Sequence, residues 1–266
     1  MASDYSKEEI LLRTDNEGAV FLSLNRPDKL NTLSEAMMSA LQVELDNIAR
    51  DRSIRCVVIS GEGRAFCAGH DLQEMRSKPD QAYYQALFQR CSEMMQSIVE
   101  LPVPVIAKVH GMAAAAGCQL AASCDLVIAG RSARFAVSGI NVGLFCSTPA
   151  VALSRSISAK RAFDMLVTGD VIDAEAALNS GLISSLVGDT ELDDAVAAKV
   201  GKILSKSPAA VRYGKAMFHQ QRQMSLSDAY DFAGNVMAEN MMSHDAGEGI
   251  DAFLEKRKAT WEQPTR

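Results

Sequence analysis

Between residues 19 and 129 the chain repeats one pattern: a short apolar run, a break, then a longer stretch whose apolar residues recur at helical spacing. Ala19 to Leu24 is apolar and ends at Asn25-Arg26-Pro27. Pro27 lacks the N–H that a ladder of backbone hydrogen bonds needs, so a strand followed by a turn is predicted. Ser34 stands before Met37, Met38, Leu41, Leu45 and Ile48, which share one face of a helix over 34–50 with the serine as its N-cap. Cys56 to Ser60 reads as a buried strand, and residues 81–99 as a helix. Val103 to Val109 reads as a strand, Gly117 to Ser123 as a short helix and Leu126 to Ala129 as a further strand. Short apolar strands alternating with helices place the chain in the α/β class. From about Ala174 the pattern is mostly helical, broken at Gly181, Gly188, Ser207-Pro208 and Ser225, with no strong strand signal after Val187. The expected organisation is a core over residues 1–200 and a helical module over 201–266.

With 48% hydrophobic residues among 266, one core can bury roughly three quarters of the unfolded surface, and no linker or low-complexity run divides the chain. Lysine and arginine total 27 against 33 aspartate and glutamate, a formal net charge of -6. That balance argues against a general nucleic-acid binder, whose affinity comes from neutralising phosphates, but a phosphorylated ligand needs only a few cations gathered locally. The six cysteines, Cys56, Cys67, Cys91, Cys118, Cys124 and Cys146, have no C-x-x-C spacing and are read as reduced thiols. His110, His219 and His244 have no metal-ligand spacing with cysteine or carboxylate partners, so no metal is expected. No apolar run is long enough to span a membrane, and Asp4, Glu8 and Glu9 stand where a signal peptide would be basic, then apolar. A cytoplasmic location is the expectation.

Two segments carry candidate chemistry. Gly61-Glu62-Gly63-Arg64-Ala65-Phe66-Cys67-Ala68-Gly69-His70-Asp71-Leu72 leaves a strand, yet a dinucleotide-binding loop would have its third glycine at Phe66 and open directly into a helix. In the second segment, the strand at Val105 to Val109 enters a turn of tiny residues, Ala113 to Ala116, and then the helix that contains Gln119. N–H groups at a helix start point outward and stabilise an oxygen that gains negative charge, and small side chains let a bulky carbonyl compound approach the backbone. The same alanines also suit tight packing at a strand-to-helix junction, and Gly69 an ordinary turn.

Taken in order, Asn25-Arg26-Pro27, Ala68-Gly69-His70-Asp71-Leu72, the alanine-rich turn into Gly117-Cys118-Gln119-Leu120-Ala121, and Cys124-Asp125 resemble the crotonase, or enoyl-CoA hydratase/isomerase, family. Phe135, Gly143, Thr168-Gly169, Gly181-Leu182-Ile183 and Phe253 to Lys258 continue the match, so that the resemblance covers residues 10 to 261. It implies a crotonase-like spiral of βαβ-type units with a C-terminal helical module that builds trimers, often paired into hexamers. It also implies an acyl-CoA thioester as ligand, with coenzyme A part of the substrate and no separate cofactor.

Carried over residue by residue, the resemblance makes the backbone N–H groups of His70 and Ala116 the two oxyanion-hole donors. The family usually has glycine at the second position. Gln119 and Gly139 fall where the family's hydratases carry their acid/base glutamates. Asp28, Lys29 and Leu30, with Ala68, Gly69, His70, Asp71 and Leu72, fall where the family contacts coenzyme A, and Lys256 where a cation reaches a ligand phosphate from a neighbouring subunit. Lys256-Arg257-Lys258 equally suit an ordinary helix C-terminus. An amide has no usable proton equilibrium and glycine has no side chain, so ordinary hydration lacks groups that typically contribute ~10²- to 10⁴-fold each. Candidate replacements are the His70 ring and, near position 139, Asn141, Cys146 and Ser147. The expected function is polarisation of an acyl-CoA thioester by an enoyl-CoA hydratase/isomerase-like protein. The alternatives are a non-catalytic acyl-CoA binding or sequestering protein, or an acyl-CoA decarboxylase or hydrolase.

Overall fold

The computed structural model describes residues 9–262. Its first sheet contains β1 (Leu11–Asn16), β2 (Ala19–Leu24), β3 (Cys56–Gly61), β5 (Val105–Val109), β7 (Leu126–Gly130) and β10 (Ser185–Val187), hydrogen-bonded in the order β1-β2-β3-β5-β7-β10. A second sheet is built from β4 (Ala65–Cys67), β6 (Met112–Ala114), β8 (Arg134–Ala136) and β9 (Ile172–Asp173), in the order β4-β6-β8-β9. Three times a strand of the first sheet is followed within a few residues by a short strand of the second: β3 then β4, β5 then β6, β7 then β8. That recurrence is the spiral.

The helices are α1 (Glu35–Arg50), α2 (Leu72–Ser77), α3 (Gln81–Glu100), α4 (Ala116–Ser123), α5 (Ser147–Ser156), α6 (Ala159–Thr168), α7 (Ala174–Ser180), α8 (Leu192–Leu204), α9 (Pro208–Gln221), α10 (Leu226–Met241) and α11 (His244–Leu254). Ser34 caps α1 by accepting the Met37 N–H, and the helix buries Met37, Met38, Leu41, Leu45 and Ile48. α3 buries Leu87, Cys91, Met94, Met95 and Ile98 in the same core. Each such side chain contributes about 1.5–3 kcal/mol relative to exposure. Every residue of β3 is buried because both faces of the sheet are covered. Val57 and Ile59 point into the main core, while Cys56 and Val58 pack with Leu192, Val196 and Val200 of α8 on the other side.

Most predicted elements appear with ends moved by one or two residues. The strand expected from Val103 begins at Val105, after Pro104, and the helix expected from Gly117 begins at Ala116. The second sheet and β1 are additions to the sequence reading. The strands of the second sheet are two or three residues long, too short for any period to register. β1 is a mostly exposed edge, joined to β2 by a two-residue turn in which Glu17 and Gly18 both have positive φ (46° and 88°). The glycine at the second turn position was a legible hairpin signal.

α9 is fastened to the sheets by a buried polar cluster. Lys215 donates from Nζ to Ile98 O (3.0 Å) and Val103 O (2.9 Å) and pairs with Asp125 Oδ2 at 2.7 Å. Asp125 also accepts the Val105 N–H at 2.7 Å and meets His219 Nε2 at 2.8 Å. α10 and α11, by contrast, leave a broad apolar surface open, including Leu226, Tyr230, Met237, Met242 (87% exposed), Phe253 (82%) and Leu254.

Candidate functional site

The loop after β4 rests on the loop after β2. Leu33 N–H donates to Gly69 O (2.8 Å) and Ala68 N–H to Leu30 O (3.0 Å). Asn31 ties these loops to the β3–β4 turn: fully buried and at φ 55°, it accepts the Arg26 N–H through Oδ1 (2.9 Å) and donates through Nδ2 to Glu62 O (2.9 Å) and Ala65 O (2.8 Å). Sequence reasoning passed over this brace, although an asparagine three residues before the helix cap Ser34 is a residue type that tolerates the left-handed region. Gly69, at φ 98°, lets the chain turn against the second loop. A β carbon built on it would stand 3.0 Å from Ala115 Cβ and 3.3 Å from Ala116 N, so the two loops touch where the candidate donors lie.

Ala115 stands before α4 at φ 47°, ψ -116°, a conformation that costs a non-glycine residue of order 1–3 kcal/mol. It is held there because its N–H donates to Ala136 O (2.9 Å) and its carbonyl accepts the Gln119 N–H (3.0 Å). Its methyl group cannot cap, so the first-turn N–H groups of α4 keep no side-chain acceptor. Among the described residues neither the Ala116 nor the His70 N–H meets a backbone or side-chain acceptor. Both residues line a cavity of about 600 Å³, together with Ala68, Phe88, Gly139 and Phe145.

The His70 ring packs edge-on against Phe88, with centroids 5.6 Å apart, and its buried Nε2 has no protein partner. Burial pushes its pKa down to about 4, so the ring is neutral at neutral pH and a weak base. A folded-state pKa below the ordinary 6.5 means that protons bind the unfolded chain more readily. Stability present above pH 6.5 is therefore lost as pH falls towards 4, by about 2 kcal/mol between pH 7 and pH 5. Urea denaturation at the two pH values checks this, and His70→Asn should remove most of the difference.

Of the other expected site residues, Lys29, Ala68, Asp71, Leu72 and Gly139 lie on the cavity wall, as do Cys146 and Ser147. Lys29 Nζ reaches Gln73 Oε1 at 3.2 Å. Asp71 is the N-cap of α2, its Oδ1 accepting the Gln73 (2.9 Å) and Glu74 (3.1 Å) N–H groups. It is the one carboxylate on the wall among the described residues. Asp28, Leu30, Gly69, Asn141 and Lys256 are not on the wall. Lys256 follows α11, exposed and far along the chain from these loops. Gln119 is 5% exposed, lies off the wall and keeps a buried Oε1 without a partner. Gly139 is closely surrounded: a β carbon there would meet Leu144 O at 2.4 Å and Cys146 Sγ at 2.8 Å. The hydrophobic wall residues Met75, Phe88, Val142, Leu144, Phe145 and Pro149 were not singled out in the sequence, since nothing local marks an apolar residue as facing a cavity. No group of three histidine, cysteine, aspartate or glutamate side chains among the described residues is placed to hold a metal ion.

Residues 14–264 match the sequence profile of the enoyl-CoA hydratase/isomerase family. The chain belongs to that family. It is 44% identical over 245 residues to the human protein named enoyl-CoA hydratase domain-containing protein 3, mitochondrial, covering 92% of this chain and 81% of that one. The crystal structure of that human protein has a TM-score of 0.92 at 43% identity, over 95% of this chain and 100% of the other. A crystal structure described as enoyl-CoA hydratase from Mycobacterium smegmatis has a TM-score of 0.95 at 54% identity, over 96% of this chain and 99% of the other. The two sheets and the eleven helices described above are thus this chain's version of the enoyl-CoA hydratase/isomerase, or crotonase, fold. No helix among the described residues is long and apolar enough to cross a membrane.

Proposed function

We propose that this protein binds an acyl-CoA thioester in the cavity and polarises its carbonyl between the N–H groups of His70 and Ala116. The observation that carries this reading is the pair of N–H groups without acceptors on loops in contact beside a cavity of about 600 Å³. Backbone donors aimed at a carbonyl oxygen stabilise the negative charge that develops there, at no reorganisation cost when the fold already holds them. Coenzyme A enters as part of the substrate, with Lys29 and the Ala68–Leu72 loop at the cavity wall as its contacts, and no separate cofactor is required.

Ordinary hydration is not part of the proposal. Asp71 is occupied in capping α2, Gln119 lies off the wall, and Gly139 has no room for a glutamate without moving the Leu144 carbonyl. The same observations favour a second reading, a protein that binds or sequesters acyl-CoA without turning it over. Incubation with enoyl-, malonyl- and saturated acyl-CoAs, followed by mass and absorbance, separates the two. Product from any of them supports catalysis, and for that product His70→Pro should lower turnover about 10²- to 10³-fold while His70→Ala, which keeps the N–H, costs much less. Circular dichroism of the proline variant checks the fold. Binding without product supports sequestration, and failure to bind any CoA thioester would sink the proposal.

The open apolar surface of α10 and α11 supports assembly of the 201–266 module into a homotrimer or a dimer of trimers, because patches of this extent are rarely left in water. In such an assembly Lys256 would serve a neighbouring subunit's ligand. Light scattering should return three or six chains, and Met242→Glu with Phe253→Glu should shift the mass towards one. A cytoplasmic location belongs to the same reading. Recovery from mitochondria on fractionation, where the human relative's name places that protein, would overturn it.

A further inference from the structure

The end of β3 away from the cavity carries three arginines that the thioester reading does not use. Arg52 and Arg55 lie in the loop between α1 and β3, and Arg212 lies near the start of α9. Arg212 Nη2 donates to Arg52 O (2.9 Å) and Ile54 O (3.0 Å), and Arg55 Nη2 donates to the Lys206 carbonyl just before α9. These bonds occupy one nitrogen of Arg55 and one of Arg212. Among the described residues the other nitrogens of both guanidiniums meet no protein acceptor, and no carboxylate forms an ion pair with Arg52, Arg55 or Arg212. Burial pulls the pKa of Arg55 and Arg212 down, and at Arg212 the charges of Arg52 and Arg55 add to that pull. The acidic groups that act against it, Asp51 on Arg212 and Asp245 on Arg55, are bonded elsewhere. Asp51 Oδ1 accepts from the Ser53 N–H and hydroxyl, and Asp245 accepts from the Ser207 hydroxyl and the Glu262 N–H. Like charges gathered in a partly buried place are unfavourable until an opposite charge joins them.

We propose that this cluster binds a phosphate group, at a site separate from the thioester cavity and independent of it. Arg55 and Arg212 line one small notch whose other walls are Val103, Ile203, Pro208 and Val211. At about 10 Å³ the notch has room for about one water-sized group, so it takes a single oxygen and leaves the rest of the ligand outside. Its apolar walls weaken the screening of charge, and the first turn of the 14-residue helix α9 presents its positive end there. Phosphate suits the cluster better than carboxylate. It carries about two negative charges at neutral pH and has more than two acceptor oxygens, against three cations with unused donors. A bound phosphate joins the α1–β3 loop to α9, the helix that Lys215 and His219 fasten to the core, and so stabilises the folded chain by mass action.

Calorimetric titration with inorganic phosphate, in chloride at constant ionic strength and near-neutral pH, tests this. The expected result is one phosphate per chain, bound about tenfold more weakly by Arg55→Gln and by Arg52→Gln, since each removes a charge-assisted contact. Lys29→Gln, at the cavity wall, should leave the phosphate affinity within about twofold, because the two sites are separate. The Arg52 side chain is exposed and donates no hydrogen bond to the protein, so Arg52→Gln decides the case if circular dichroism shows that Arg55→Gln does not fold. Glycerol phosphate bound as tightly as inorganic phosphate supports the site and identifies the phosphate end of a larger molecule as its ligand. Inorganic phosphate bound alone supports the site with the free anion as ligand. Acetate bound as tightly as phosphate overturns the choice of phosphate. No phosphate binding, affinity unchanged in the arginine variants, or affinity lost in Lys29→Gln and kept in Arg52→Gln overturns the site.

Discussion

Gly117→Ala is expected to lower stability by about 3 kcal/mol or more and to abolish thioester binding. The new β carbon would stand 2.0 Å from Cys67 O and 2.7 Å from Cys67 C, and a backbone carbonyl cannot swing aside as a flexible side chain can. Relief requires α4 to move away from β4, and that movement separates the Ala116 N–H from the His70 loop. Structural and functional losses therefore arrive together. Gly214→Ala supplies the contrast: nothing lies within 4 Å of a β carbon there, in the interior of α9. That substitution should raise stability by a few tenths to about 1 kcal/mol through helix propensity. Urea midpoints for the two variants, with acyl-CoA binding by calorimetry, check the pair. A Gly117→Ala protein that keeps both its midpoint and its affinity would show that the close approach of α4 to β4 is dispensable.

Lys215→Ala should cost about 3–5 kcal/mol, the range for removing one partner of a buried pair. Burial pulls the Lys215 pKa down while Asp125 works against that shift, and the side chain is 6% exposed. Without its ammonium group the Ile98 and Val103 carbonyls lose their donor and the Asp125 carboxylate loses its closest cation. Asp125 retains the Val105 N–H and His219, so Asp125→Asn should cost less, and the double variant should cost less than the sum of the two. Urea denaturation of the four proteins measures the coupling. Because the cluster joins α9 to the ends of α3, β5 and β7, its loss should also loosen α9 from the core, read as faster hydrogen exchange along that helix.

The main strands and helices were legible because the repeat is long enough to register: five apolar residues on one face of α1, and six consecutive buried residues in β3. The order of short motifs carried the family, and the family carried the fold. The same reading missed the second sheet, in which the three-residue strands β4, β6 and β8 form only because each is delivered to its neighbours by the sheet-one strand before it. It also missed Asn31 as a brace, since two of its three side-chain hydrogen bonds go to Glu62 and Ala65, which are brought close only by the turn after β3.

The absence of carboxylates at Gln119 and Gly139 was determined by the sequence alone, because it is a fact of residue type. What stands around those positions was decided by the tertiary structure. Gln119 could be read equally as a ligand-facing amide, until packing of α4 placed it off the cavity wall. Gly139 could be read as an open gap, until the turn back from Leu144 to Cys146 put a carbonyl and a thiol against it. Periodicity and motif order are local properties that a single chain displays in one dimension. Which atoms share a cavity depends on contacts between residues far apart in sequence, and those distances exist only once the spiral has closed.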